Sequence, residues 1–514
     1  MPAKKASKKT AVSRAGSKGS VKSSASNKAS RAGRGASASR KAAAKKATKK
    51  ASKKSTAKAP PHGVTATAGN MMVVNMIPRS LSVETHQDSE PMLAVNPANP
   101  QQMVASAFTR DPFGGPNAPV YVSIDGGRTW VLKSSVPSNV QTGDITLAYS
   151  RSGFLYSGIL KRPGNLLLNI LRTPIPTQAN LMTVLSSRTR VDQPFVQTSV
   201  IANRDHVYVG NNDFNAPGGK TATVDVSASG GANTFTPARI ERRSTGSAGQ
   251  NGPQIRPTSL TTGTVYAVFY GWRAFSNNQV TSDVVVVRDD NRGVGANPFS
   301  ALVDPSDGVA GMRVAKGVKF TWDDLLGQNR LGGDLAIVAD PNNSKVVYIA
   351  WGDVQSATGY TLHLRRSTDG GLTWSPSDLR TVGRGKNPSL AFNTNSKLAF
   401  LYQQVTGSGA SQRWVTKVER STDGVNWNSV VLATVPANSP APQFQPYIGD
   451  YDFILSVGKD FYGIFSANNT PDAANFPNGV TYQRNCNFNT RQLLDLNNQV
   501  VPASIDPYFF KLTE

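Results

Sequence analysis

The chain has 514 residues, 38% hydrophobic and 8% aromatic, with 45 Gly, 32 Pro, a single Cys and a formal charge of +24. One thiol excludes an internal disulfide framework and a four-thiolate zinc site, and no apolar run approaches the ~18 residues of a membrane span. The composition reads as a soluble protein with a sizeable core, no evident export signal and an intracellular setting favoured, and with much of the chain outside that core.

The charge is concentrated at one end. No Asp or Glu precedes Glu84, whereas Lys and Arg occur 19 times between Lys4 and Lys58, leaving 37 basic against 32 acidic residues elsewhere. Residues 1–70 consist mainly of Lys, Ala, Ser, Gly and Thr without Phe, Trp or Tyr. Such a segment cannot bury enough surface to offset the entropy of ordering and is expected to be disordered. With KKASKKT and RKAAAKKATKKASKK it resembles the Lys/Ala-rich tails of linker-histone-like proteins. A flexible polycation displaces counterions from a nucleic-acid backbone without reading sequence. DNA or RNA is thus the expected partner of Lys4, Lys5, Lys8, Lys9, Lys45, Lys46, Lys49, Lys50, Lys53 and Lys54. A solubilising tail, or one for anionic lipid or another polyanion, fits the same composition.

Residues 71–514 read differently, as short β-branched and aromatic runs punctuated by Gly, Pro, Asn and Asp. A repeat begins EPMLAV at Glu90, GDITLAY at Gly143, DQPFVQT at Asp192, IRPTSL at Ile255, GDLAIV at Gly333, NPSLAF at Asn387 and GDYDFIL at Gly449. The copies lie about 60 residues apart, the size of a four-stranded propeller blade with its loops. The expected fold is therefore an all-β propeller, seven-bladed with six as the alternative. Val73–Val83 and Ser504–Leu512 are apolar enough to close a shared last blade.

Four copies carry a second motif: SIDGGRTW from Ser123, STDGGLTW from Ser367, STDGVNW from Ser421 and the degenerate SASGGANTF from Ser227. The pattern resembles the Asp-box, or bacterial neuraminidase repeat, of sialidase-like β-propellers. Its residue types suit a tight turn. Ser123, Ser367 and Ser421 open it, Asp125, Asp369 and Asp423 accept backbone N–H bonds, Gly127 and Gly371 permit positive φ, and Trp130, Trp374 and Trp427 are apolar anchors. In the resembled family these turns lie away from the substrate, so the three Asp are structural; one carboxylate per turn also falls short of a calcium site.

In a propeller, corresponding strand ends converge around the axis, so recognition groups are expected where each copy ends. These are Arg110 and Asp111, Lys161 and Arg162, Asn212 and Asp213, Trp272 and Arg273, Trp351 and Asp353, Gln403 and Gln404, and Asn468 and Asn469. Asp144, Asp192, Asp334 and Asp450, at copy starts, would line the same mouth. Arg, amide and Trp groups suit a glycan or anionic ligand; strand-end residues that merely satisfy exposed backbone are the plainer reading.

The resemblance implies, for catalytic members, three Arg on a substrate carboxylate, a Tyr nucleophile activated by Glu, an Asp acid/base and an Arg-Ile-Pro motif. Here Ile77-Pro78-Arg79 has those letters out of order, and none of Glu84, Glu90, Glu241, Glu419 and Glu514 falls at a repeat ending. Arg110 and Arg273 could join an Arg cluster, but a third member is not evident. His62, His86, His206 and His363 lack metal spacing, Cys486 lacks a nucleophile motif, and no cofactor is expected. The leading expectation is a ligand- or partner-binding sialidase-like propeller tethered to a polyanion by its tail. The alternatives are an exo-glycosidase of the sialidase type and a structural nucleic-acid-associated protein.

Overall fold

A computed structural model describes residues 70–108, 119–133, 142–161, 165–174, 182–245, 255–321, 334–356, 359–441 and 448–514. The basic leader, Arg110, Asp111 and Arg162 lie outside the described residues. Among those described there is no α-helix, only strands and short 3₁₀ turns, so none is long and apolar enough to cross a membrane.

Among the described residues seven sheets of four or more strands form the blades, with two smaller sheets beside them. Blade 1 is Ser89–Val95, Met103–Phe108, Val120–Ser123 and Val131–Lys133, hydrogen-bonded in that order. Blades 2 to 6 repeat the pattern from inner strands Thr142–Tyr149, Val191–Ile201, Arg256–Ser259, Leu335–Asp340 and Gly385–Phe392. Blade 7 begins with Phe453–Val457 and Asp460–Asn468. Each inner strand packs on the next, and the first meets the last, which closes the array into a seven-bladed β-propeller. Burial follows distance from the axis. Ser89–Val95 is buried at every position because blades flank both its faces, whereas the outer strand Thr183–Thr189 is buried at none.

Ring closure is made by both ends of the described chain: Ile505–Leu512 pairs with Asp460–Asn468 on one side and with Met71–Asn75 on the other. The expected closing strand at Val73–Val83 is corrected here: the strand ends at Asn75, and Arg79–Leu81 is a 3₁₀ turn entered through Pro78, which has no N–H to give a ladder. The joint is pinned by Arg484. Fully buried, it pairs with Asp506 at 2.9 Å and donates to the carbonyls of Ser82 and Glu84.

The S-x-D turns join third to fourth strands, on the face where inner strands end. In the first, Ser123 Oγ donates to Asp125 Oδ1 and accepts from Gly127 N, both at 2.9 Å, while Asp125 Oδ1 accepts from Thr129 N at 2.9 Å. The turn at Ser367 repeats these bonds. In the degenerate copy Ser229 stands where Asp would be and accepts from Asn233 N. Burial alone would raise the Asp125 and Asp369 carboxyls, but the bonds from Thr129 and Thr373 hold them below the usual range. Each turn clips its blade to the preceding one. Trp130 packs 5.5 Å from Phe509 of blade 7, and Gly127, at φ +86°, lies so close that an added Cβ would clash with the Phe509 ring. Gly370 O accepts from Arg288 of blade 4 at 2.7 Å, and Gly424 lies against Tyr348 of blade 5.

Candidate functional site

Antiparallel pairing puts the starts of inner strands and the ends of second strands on one face: Asp192 lies opposite Asn212, and Thr142 opposite Lys161. Within three residues of the start of each inner strand stands a polar residue, one per blade: Glu90, Asp144, Gln193, Arg256, Asp334, Asn387 and Asp450. All are buried, none more than 8% exposed. Four precede a proline, and three of those, Glu90, Gln193 and Asn387, hold φ between 52° and 56°. Non-glycine residues in this region are strained, and their recurrence at one level of the ring marks a place where the fold holds side chains against local preference. The ladder shifts register immediately after each of these three, turning the first side chain away from the sheet.

The ring is knit across blades. Asp450 N donates to Glu90 Oε1 at 3.3 Å, Asn387 N donates to Asp334 Oδ1 at 3.2 Å, and Lys386, itself fully buried, pairs with Asp334 at 3.2 Å. Burial pushes the Asp334 carboxyl up, and Lys386 opposes the shift. Arg256 reaches from blade 4 across the axis. Its guanidinium lies 4.1 Å over the Phe195 ring and 5.2 Å from the Tyr451 ring, within electrostatic range of Asp450, Asp144 and Glu90 from blades 7, 2 and 1. Burial lowers its pKa to about 10, so it remains a cation at neutral pH. Yet among the described residues it donates no hydrogen bond and has no ion-pair partner, although only 6% exposed. Buried guanidinium groups are normally paired. Burial, and after it Asp144, Glu90 and Asp450, drive the Tyr451 hydroxyl well above its ordinary range, with Arg256 a weaker opposing influence.

Below this level the axis is blocked by Met92, Phe195 and Tyr451, with Phe453 packed against them and its ring 5.9 Å from that of Phe195. Beneath the block, stretches of all seven inner strands line a cavity of about 800 Å³ towards the face of the S-x-D turns.

Of the residues expected at the mouth, Asp450 and, from the copy starts, Asp144 and Asp334 belong to the ring. Second-strand ends sit one strand further out, ~4.8 Å, and many are engaged there. Asp213 pairs with Arg188 and Arg239. Arg273 pairs with Asp283 at 2.8 Å and Glu241 at 3.2 Å. Asn212 accepts from Thr221, Gln404 donates to Gly383 O, and Asn468 donates to Ser439 O. Trp272 is buried against Phe275, and Lys161 is buried, which lowers its pKa. Arg110 and Asp111 lie outside the described residues. Sequence reasoning passed over Glu90, Gln193, Arg256, Asn387 and Tyr451. The signal for four of them was the X-Pro that opens their repeats, and Glu90, where the first repeat begins, stands at the head of blade 1's inner strand.

Trp351 and Asp353 belong to a separate relay: His363 stacks on Trp351 at 5.0 Å and lies between Asp353 at 3.1 Å and Asp378 at 2.8 Å. Burial alone would lower the imidazole pKa, and the two carboxylates outweigh it, so the net shift is upward. A folded-state pKa above the unfolded value gives stability that is complete below about pH 6.5 and fades as pH rises through the raised value. His363→Gln is therefore expected to lower the urea midpoint at pH 6 and to converge on the wild type at higher pH; a deficit independent of pH would contradict this.

Among the described residues no three or more His, Cys, Asp or Glu side chains form a metal-holding group. No protein-family model matches the chain, and no curated protein matches it. Solved structures do. A protein of unknown function from Dyadobacter fermentans matches 87% of this chain and 100% of its own at 12% identity and TM-score 0.43. The GH93 α-L-arabinofuranosidase of Fusarium graminearum matches 68% of this chain and 98% of its own at 12% identity and TM-score 0.40. The Trypanosoma rangeli sialidase matches 88% of this chain and 60% of its own at 11% identity and TM-score 0.34. Likeness at this level assigns no chemistry.

Proposed function

We propose that the axial ring is the active site of a glycoside hydrolase. The observation that carries this reading is the buried Arg256 guanidinium, without a hydrogen-bond partner among the described residues, set within electrostatic range of Glu90, Asp144 and Asp450. Donors on one side and carboxylate acceptors on the other suit a sugar, whose hydroxyls both donate and accept. Glycosidic cleavage needs two carboxyl groups, one protonating the leaving oxygen and one acting as nucleophile or activating water. Glu90 and Asp144 are assigned these roles, with Asp450, whose backbone N–H holds Glu90, beside them. Tyr451 is assigned to contact rather than attack, since its hydroxyl is driven far from ionisation. Among the described residues one guanidinium faces three carboxylates, a balance that favours a neutral sugar over a sialoside and departs from the sialidase-type alternative.

The test is release of nitrophenol from aryl α-L-arabinofuranoside, β-galactoside and α-sialoside by the full chain. Turnover of a neutral glycoside is expected; turnover of the sialoside alone would overturn the specificity, and turnover of none the enzymatic reading. Noncatalytic glycan binding has one observation in its favour, the deep burial of Glu90, Asp144 and Asp450 at 5–6% exposure. It would show as saturable calorimetric binding without hydrolysis.

The basic leader is proposed as a tether for nucleic acid or another polyanion. Deleting residues 1–60 is expected to abolish salt-sensitive DNA retention and to leave the propeller's own chemistry intact. DNA binding that survives the deletion would refute the tether.

A further inference from the structure

Of the seven ring residues, only Arg256 also lines the cavity beneath the axial block. Its wall is formed by runs of consecutive residues, such as Phe195–Val200, Leu335–Ala339 and Asp452–Gly458. Inner strands lie at one edge of their sheets, and consecutive residues line a space only when a strand turns that edge towards it. The wall thus combines backbone N–H and C=O groups with apolar side chains such as Leu147, Ile337 and Leu390.

Basic groups outnumber acidic ones on this wall. The ionisable groups that titrate near neutrality or carry fixed charge are Arg256 at the inner end, Arg151 near the inner-strand turn of blade 2, and Asp452. Asp452 is 3% exposed; its Oδ1 accepts from Ser466 N at 3.3 Å, and its buried Oδ2 has no hydrogen-bond partner among the described residues. Burial, with Asp334 adding to it, raises this carboxyl well above its usual range. Glu90, Asp144 and Asp450 are not among the residues lining the cavity. Arg256, which donates no hydrogen bond among the described residues, thus borders a space the size of a ligand pocket, ~300–1,000 Å³.

We propose that this cavity is a second binding site, entered from the face opposite the ring, for a slender organic carboxylate whose head meets Arg256 and whose apolar body follows the bore. Because Arg256 serves both sites, an occupant that draws its guanidinium inwards would loosen its hold on a sugar at the ring, and the bound acid would act as an inhibitor that does not compete with substrate.

Calorimetric titration of the full chain with hexanoate, and with hexanamide as its neutral counterpart, tests the site without reference to catalysis. Hexanoate is expected to bind at least tenfold more tightly than hexanamide, and Arg256→Gln to remove that preference. Ala98→Trp, at an exposed turn lining the cavity, is expected to weaken hexanoate binding while leaving Arg256 in place. Equal binding of acid and amide, or hexanoate binding unchanged in both variants as adsorption to the basic leader would give, overturns the proposal. Hydrolysis plays no part in these readings, so their failure leaves the glycosidase assignment standing, and the reverse holds.

Discussion

Glu90→Gln and Asp144→Asn each lower kcat on a neutral aryl glycoside by about 10²–10⁴-fold, the range over which a positioned acid or base contributes, while the substrate's KM changes little. Both substitutions keep size and hydrogen-bonding capacity and remove only the carboxylate, so the loss reports chemistry rather than folding. The two should differ in leaving-group dependence. Loss of the acid is felt most with poor leaving groups, because an activated phenol departs without protonation. Asp369→Asn, in the turn at Ser367, changes kcat negligibly, since its carboxylate is bonded to Thr373 and Ser367 on the opposite face. Glu90→Gln activity within threefold of wild type would remove Glu90 from the mechanism. A comparable loss in Asp369→Asn would show that the first effect reports global damage.

The largest expected effect on stability is at the closing blade. Arg484→Met leaves Asp506, fully buried, without its cation and strips donors from the carbonyls of Ser82 and Glu84. Removing one partner of a buried ion pair costs about 3–5 kcal/mol, because an uncompensated charge stays in a low dielectric. The urea midpoint is expected to fall accordingly. Converting both partners, Arg484→Met with Asp506→Leu, should recover much of the loss, since the pair's worth lies in mutual compensation. The exposed pair of Arg491, 64% exposed, with Asp472 provides the contrast. Arg491→Ala is expected to stay within about 1 kcal/mol of wild type. Equal effects at the two sites would mean that Arg484 does not hold the ring shut.

The repeat architecture was written in the chain in a form that sequence reasoning could read. Four-strand blades recur at regular spacing, and Gly127, Gly371 and the anchoring Trp residues of the turns are local demands of backbone conformation and packing. Local demands repeat whenever a blade does. The closing pair was visible as two apolar segments at opposite ends of the propeller, although Pro78 shortened the first of them to Met71–Asn75.

The site was legible only in part. Asp144, Asp334 and Asp450 could be singled out at the copy starts, because Gly-Asp before an apolar run is conspicuous. Glu90 was visible only as the first letter of a repeat, and Arg256 looked like one basic residue among many. Repeat spacing by itself pointed to seven blades, with six as the alternative, and the S-x-D letters marked turns between strands, since both depend on neighbours in the chain. Only the tertiary structure decided which polar residue at each blade's edge reaches the axis and which is spent one strand further out. Asp450 and Glu90 lie 360 residues apart and meet across the closed ring, and the burial that leaves Arg256 short of donors' partners arises only once seven sheets surround it.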